Sequence, residues 1–415
     1  MRADRRQAAT AVGQAYVAPL RGVRVIDMTS VFMGPLTTQH LADLGADVIK
    51  VEAPAGDSTR RIGPGSDRLL GAPFLGLNRN KRSVVLDLKR APARDALLAL
   101  AKTADVLVYN VRPKAMERLG LGYETLAAAN PGLIYAGLTG FSQRGRNAPL
   151  AAFDDLIQAA TGLSDLIGRA NRGDPSYLPM TVADRTVGTF AFGIIAAALY
   201  GRTRDGKGHR VEIPMYETML SLVLGDHLYG ETFIPARGTM TYPRLMSSQR
   251  KPYRTADGFI CCTVYTDAHW RSFLSIVGKP SLMLEDPRFA DMASRTRHID
   301  ALYAMVAEEF ALRPTAEWVA RLGEADIPSF VVPRLEDLIH DPHLGDIGFF
   351  EEHDHPLVGR IRQMKNPAEW DATGIPTRSL APGLGEHTRD VLNEAGLSPA
   401  AIDALLACGA AVQQG

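Results

Sequence analysis

The chain has 415 residues, 46% of them hydrophobic and 22% charged, with 46 Lys plus Arg set against 46 Asp plus Glu. That length exceeds a usual single core and predicts two domains or one elaborated domain, in the composition range of a soluble globular protein. A neutral chain has no global field to draw it to nucleic acid or to an anionic membrane, and neither partner is expected.

Residues 1–18 carry Arg2, Arg5 and Arg6 without a long apolar run, so they do not read as a secretory signal. Residues 23–28 (VRVIDM) form a compact β-rich run, followed by the loop TSVFMGP and a helical stretch over 36–44. The next strand is 47–52 (DVIKVE), then 83–88 (SVVLDL), a helix over 93–102, and strands at 105–109 (DVLVY) and 133–138 (LIYAGL). Strand, helix, strand at this spacing predicts an α/β fold built on a Rossmann-like parallel sheet with right-handed crossovers.

A core helix is predicted over 180–199, where Gly188, Gly193 and Ala196 to Ala198 permit close packing. Its most apolar part, 187–200, is about 14 residues, too short to span a bilayer. A turn leads into a strand over 206–213, and 216–224 resumes a helix. Near residue 240 the character changes. Residues 253–265 (YRTADGFICCTVY) hold a turn between β-like runs, and helical stretches with buried-looking Trp270, Phe273, Trp318 and Leu322 follow. The division expected is 1–239 as a large α/β domain, 240–340 as a smaller α+β domain, and 341–415 as a loop-rich segment returning to the large one. Residues 399–407 close it as a helix, with Ser398 as N-cap and Pro399 at the first helical position.

Common motifs are absent. The first strand is not followed by GxGxxG, and residues 201–207 (GRTRDGK) fail as a P-loop because Gly208 stands where a metal-binding hydroxyl is needed. There is no GxSxG and, among ten histidines, no HExxH. His353 and His355 read as a solvated loop, and no metal is expected. Cys261, Cys262 and Cys408 make neither a disulfide framework nor a CxxC knuckle, the pattern of reduced thiols in the cytoplasm. Carboxylates remain. Asp184, in PMTVADRTVG, opens a helix, where capping or complementing the helix dipole explains it locally. Asp154 and Asp155 precede LIQAATGL in the same way.

At these residues the sequence resembles the class III CoA-transferases, a group that includes formyl-CoA transferase, carnitine CoA-transferase and α-methylacyl-CoA racemase. The likeness runs from about Leu20 to Gly409, and its markers in order are LRGVRVIDMTSVFMGP, LADLGADVIKVEAPAGDSTR, NRNKRSVVLDLK, DVLVYNVRP, YAGLTGFSQRG, VADRTVGTFAFGIIAAAL, GKGHRVEIPMYETM, PYRTADGFI and APGLGEHTRDVL. The resemblance implies that Asp184 is a covalent nucleophile, converted through a mixed anhydride to an aspartyl-CoA thioester. It also implies coenzyme A contacts at Phe32, Met33, Ala53, Leu86, Lys89, Asn110, Val111, Arg112, Arg118 and Phe153, with Leu86 and Val111 doubling as core residues. Asp154 and Arg185 are implied at the acid substrate, and Ser247, Ser248 and Gln249 stand where relatives have a glycine-rich lid.

The expected substrates are an acyl-CoA and a small carboxylic acid. Arg144, Arg146, Arg185 and Lys251 are available to a dicarboxylate, and no cofactor is expected beyond coenzyme A itself. The racemase branch carries a histidine where this chain has Phe153, which cannot titrate, so transfer is expected ahead of racemisation or of non-catalytic CoA-thioester binding. Phe32, where formyl-CoA transferase has glutamine, argues against formate–oxalate exchange. The family's interlocked homodimer is the expected assembly.

Overall fold

The computed structural model describes residues 16–414, so Arg2, Arg5 and Arg6 lie outside the described part. The chain divides into two compact units, one holding residues up to Ala160, Pro179–Met219 and everything from His343, the other Thr161–Leu178 and Leu220–Pro342. The second unit is larger than the 240–340 stretch marked by the change in sequence character. Packing decides its membership: the helix Leu163–Asn171 joins it by lying against Pro243–Met246.

Seven strands form the sheet of the first unit: β1 (Arg24–Met28), β2 (Asp47–Glu52), β3 (Lys81–Leu86), β4 (Val106–Tyr109), β5 (Ile134–Thr139), β6 (Arg210–Pro214) and β7 (Ala411–Val412). Their order is β7-β3-β2-β1-β4-β5-β6. All neighbours are parallel except β7, which runs antiparallel along β3 with Ala411 opposite Leu86. In register, Ile26 faces Ile49 on one side and Leu107 on the other, and all three are fully buried. Strands covered on both faces read as near-continuous apolar runs, which is why they were visible in sequence.

One face of the sheet packs on the helix α1 (Met33–Asp43) and the other on α2 (Ala91–Ala101), whose Leu97 and Leu100 share a core with Val391, Leu392 and Ile402 of the C-terminal helices. The last of these spans Pro399–Ala407, and Ser398 Oγ accepts from the Ala401 amide at 3.3 Å, the cap read from sequence. The strand β3 begins two residues before the predicted one because Lys81 and Arg82 belong to it, although both are charged.

A short helix, α3 (Asp154–Ala160), precedes α4 (Val182–Asp205), which lies along α1. With 24 residues α4 is long and apolar enough, by length and composition, to cross a membrane, which corrects the reading of 187–200 as too short. Polar turns at both ends extend it, and Gly206 at φ 70° closes it. Ala183, Val187, Gly188, Ala191 and Ile195 form its buried stripe. At Gly188 an added Cβ would lie 2.6 Å from Met33 O, whereas one at Gly193 would meet nothing, so only the first of the two glycines is needed for packing.

His355 is not solvated. It ends the strand Phe350–His355, paired antiparallel with Gly359–Met364, and is buried, with Nε2–H donating to Ala381 O at 2.9 Å and Nδ1 accepting from the Leu357 amide at 3.2 Å. In the second unit the antiparallel strands Tyr253–Arg254, Phe259–Cys262 and Ser329–Val331 carry helices whose Trp270, Phe273, Phe310, Trp318 and Leu322 form the core.

Gly188→Ala should push α4 from α1 and lower stability by ~1–3 kcal/mol, whereas Gly193→Ala should be neutral or stabilising; denaturant unfolding of the two variants checks both.

Candidate active site

The strand order reverses between β1 and β4, and chains leaving neighbouring strands in opposite directions open a crevice at their C-terminal ends. A cavity of ≈ 330 Å³ occupies this position. Its wall includes Ser30, Val31 and Met33 after β1, Asn110, Val111 and Arg112 after β4, Gly140 and Gln143 after β5, then Phe153 and Asp184.

The loop after β1 is shaped by buried polar side chains. Asp27 Oδ1 accepts from the Thr29 amide at 2.9 Å, and Lys50 Nζ donates to Thr29 O at 2.9 Å. The Asn110 amide group brackets Ser30, accepting from its N–H at 3.1 Å and donating to its C=O at 2.8 Å. Asp57 Oδ1 takes the Val31 amide at 3.3 Å, and Lys81 Nζ reaches Pro35 O at 2.9 Å. Val31 is held at φ 72°, a left-handed conformation that a β-branched residue occupies only when its surroundings impose it. Gly34 is required next to it, since a Cβ there would fall 2.3 Å from the Thr29 Cβ.

This loop delivers the first turn of α1 to Asp184. The Asp184 carboxylate sits half-buried in the first turn of α4, close enough to the Met33 backbone amide for that amide to favour the ionised form. Burial, then the negative charge of Asp154, push the Asp184 carboxyl up to about 7; the Arg185 cation and the Met33 amide act in the opposite sense. Asp154 itself is buried and has both oxygens engaged. Its Oδ1 accepts from the Asp184 amide at 2.9 Å and its Oδ2 from Gln158 Nε2 at 2.6 Å. It therefore caps α4 from a neighbouring helix, and it is not among the residues of the cavity wall.

Of the residues implied at coenzyme A, the structure brings together Met33, Asn110, Val111, Arg112 and Phe153 around Asp184. Val111 is 39% exposed, which corrects its reading as a core residue: it lies two residues past the end of β4 and so escapes the sheet's cover. Leu86 is the opposite case, fully enclosed in β3. Phe32 stands at the start of α1, off the wall, with the exposed Arg185 guanidinium 5.9 Å from its ring centre. Ala53 and Lys89 are exposed after β2 and β3 and also lie off the wall. Arg118 lines a second hollow of ≈ 320 Å³ with Lys114, and this hollow shares Arg112, Pro113, Gln143 and Ala148 with the first. Ser247, Ser248 and Gln249 belong to the other unit.

Sequence reasoning missed Asp27, Lys50, Asp57 and Lys81. The available signal was a charged residue inside an otherwise apolar strand, as in DVIKVE and KRSVVL.

The profile of CoA-transferase family III matches residues 20–388. The mouse succinyl-CoA:glutarate CoA-transferase is 31% identical over 95% of this chain and 91% of its own length. A Haloarcula marismortui succinyl-CoA:mesaconate CoA-transferase is 33% identical over 91% of this chain and 96% of its own. Among solved structures, a hypothetical protein from Mycobacterium tuberculosis superposes with a TM-score of 0.76 at 30% identity, covering 90% of this chain and 99% of that one. With a parallel-dominated α/β sheet, a carboxylate at its switch-point crevice and a profile match over most of its length, the chain belongs to the CoA-transferase family III.

Proposed function

We propose that the protein exchanges coenzyme A between an acyl-CoA and a free carboxylic acid, with Asp184 as covalent nucleophile. The observation that carries this reading is the half-buried Asp184 carboxylate on the cavity wall, with the Met33 amide near enough to favour its anion. In the first step an Asp184 oxygen adds to the thioester carbonyl and the C–S bond breaks, giving a mixed anhydride and CoA thiolate. The thiolate then adds to the aspartyl carbonyl and releases the donor acid as its carboxylate. The acceptor carboxylate runs the two steps in reverse, so no net proton or electron is consumed. The amides opening α1 are suited to the negative charge that develops on the carbonyl oxygens.

Among the residues of the cavity wall Asp184 is the only carboxylate, and there is no histidine or lysine, which favours transfer over a racemase needing two opposed acid/base groups. Arg112, Lys114 and Arg118 in the adjoining hollow suit the phosphates of coenzyme A. Dicarboxylic acids are the acids of choice, supported by the glutarate and mesaconate in the names of two relatives. A cytoplasmic homodimer completes the reading: Phe190 and Tyr200 on α4 are 50% and 66% exposed, an apolar face that a second copy would cover. Light scattering should give twice the chain mass of 45.0 kDa.

Incubation with succinyl-CoA followed by hydroxylamine or borohydride should modify Asp184 alone, as read by peptide mass; an adduct at any other residue defeats the assignment. Asp184→Asn should lose at least ~10³-fold in exchange while still binding coenzyme A.

Because the nucleophile must be ionised, kcat/KM should rise tenfold per pH unit and level off above about 7. Asp154→Asn keeps an acceptor for the Asp184 amide but removes the repelling charge, so the inflection should move to lower pH.

The folded chain holds the Asp184 proton more tightly than the unfolded chain does, so wild-type stability falls as pH rises from about 4 through about 7. Asp184→Asn should accordingly be more stable than wild type by ~1–3 kcal/mol at pH 8, a gain that fades by pH 4, measured by denaturant unfolding.

A further inference from the structure

The second unit contains a cleft of ≈ 260 Å³ between the strands Tyr253–Arg254 and Phe259–Cys262 and the helix Ile299–Phe310. Arg244, Arg250 and Lys251 line it, and no aspartate or glutamate does. Some other cations of this unit are paired, as in Arg288 with Asp286 at 2.6 Å and Arg295 with Asp267 at 2.5 Å, while Arg237 and Arg254 stand singly over aromatic rings. Among the described residues, neither Arg244, Arg250 nor Lys251 has a carboxylate within ion-pair distance. In a chain whose 46 cations and 46 anions balance, three uncompensated cations around one hollow are a local excess.

The cleft is also partly preorganised. Arg244 Nε donates to Tyr303 Oη at 3.0 Å, and its guanidinium lies 5.5 Å from the Tyr265 ring centre. These contacts fix the guanidinium while leaving its Nη groups without a protein acceptor among the described residues. Tyr253 and Tyr303 are both buried at the wall, and burial raises the Tyr253 phenol well above its ordinary value, so it remains a neutral hydroxyl.

We propose that this cleft binds the oxyanion group of a small ligand, a carboxylate or a phosphate. Planar guanidinium groups clamp both in two-pronged fashion, and Lys251 adds a point charge. Dicarboxylic acids and coenzyme A each carry such a group, and the two sources are separable by experiment. The site stands on the chemistry of the second unit alone and does not depend on the role of Asp184.

The cleft supplies its own reporter, because Cys261 is exposed and lines it, while Cys408, also exposed, lies in the first unit. The intact protein would be alkylated with iodoacetamide and the rates at Cys261 and Cys408 followed by peptide mass, with and without succinate, inorganic phosphate or coenzyme A. Occupancy should slow Cys261 by ~5-fold or more at tens of millimolar anion, with Cys408 unchanged. Protection by succinate alone assigns the site to a carboxylate ligand; protection by phosphate and coenzyme A assigns it to a phosphate. The exposed pair Arg250→Ala and Lys251→Ala, with folding checked by thermal melting, should abolish the protection. No protection by any of the three anions, equal slowing at Cys408, or protection that survives the double variant would each overturn the proposal, and none of these results bears on exchange through Asp184.

Discussion

Two ammonium groups buried under the central strands hold this site together. Lys50 and Lys81 are both fully enclosed; Lys50 reaches forward to Thr29 O in the segment between β1 and α1, and Lys81 to Pro35 O in the first turn of α1. Bringing such charges out of water costs several kcal/mol apiece and is tolerable only with close counter-charges. Lys50 has Asp57 at 3.0 Å, and Lys81 has Asp27 at 3.1 Å with Thr38 and Asn78 completing its shell. The balance differs between them. Asp27, Asp57 and Glu52 together raise the Lys50 ammonium above its ordinary value, whereas burial outweighs the single nearby pair at Lys81 and brings it down to about 8. Asp27, served by both cations, lies well below the usual carboxylate range. The left-handed Val31 and the tight Gly34 turn are the backbone conformation that this network enforces.

The same arrangement explains how a carboxylate with a depressed tendency to ionise is maintained at the cavity. The first turn of α1 offers its amides, and these favour the anion. Asp154 opposes them, because the acceptor that satisfies the start of α4 is also a negative charge beside Asp184. A neutral cap would satisfy the helix equally well. Using a charged one trades stability for a carboxyl that titrates near neutrality, the kind of local conflict concentrated at functional sites.

Six strands of the sheet were legible because each is a short run with its own turn signal, and β2 matched residue for residue, whereas the two-residue β7 left no trace. The start of β3 was not legible, because Lys81 is buried by Asp27 and Thr38, 54 and 43 residues away in sequence. No local pattern reports such long-range pairs. Asp184 could be separated from an ordinary helix cap only through the family resemblance, since capping and chemistry leave the same trace at a helix start. Position in a motif proved a weaker guide to the cavity wall: Met33, Asn110 and Arg112 reach it, while Ala53 and Lys89 follow neighbouring strands that end outside it. The membership of Thr161–Leu178 in the second unit was invisible for the same reason as Lys81, being decided by distant contacts.

The two-residue strand β7 has a consequence for how the molecule is made. It covers the edge of β3 with residues synthesised more than three hundred positions later, and the helices around Val391 and Ile402 enter the same core equally late. On the ribosome the first unit therefore emerges with one flank of its sheet uncovered, and it stays so while the whole second unit is translated. Closure must wait for the final segment, so the nascent chain spends most of its synthesis dependent on something other than its own tail to shield that edge.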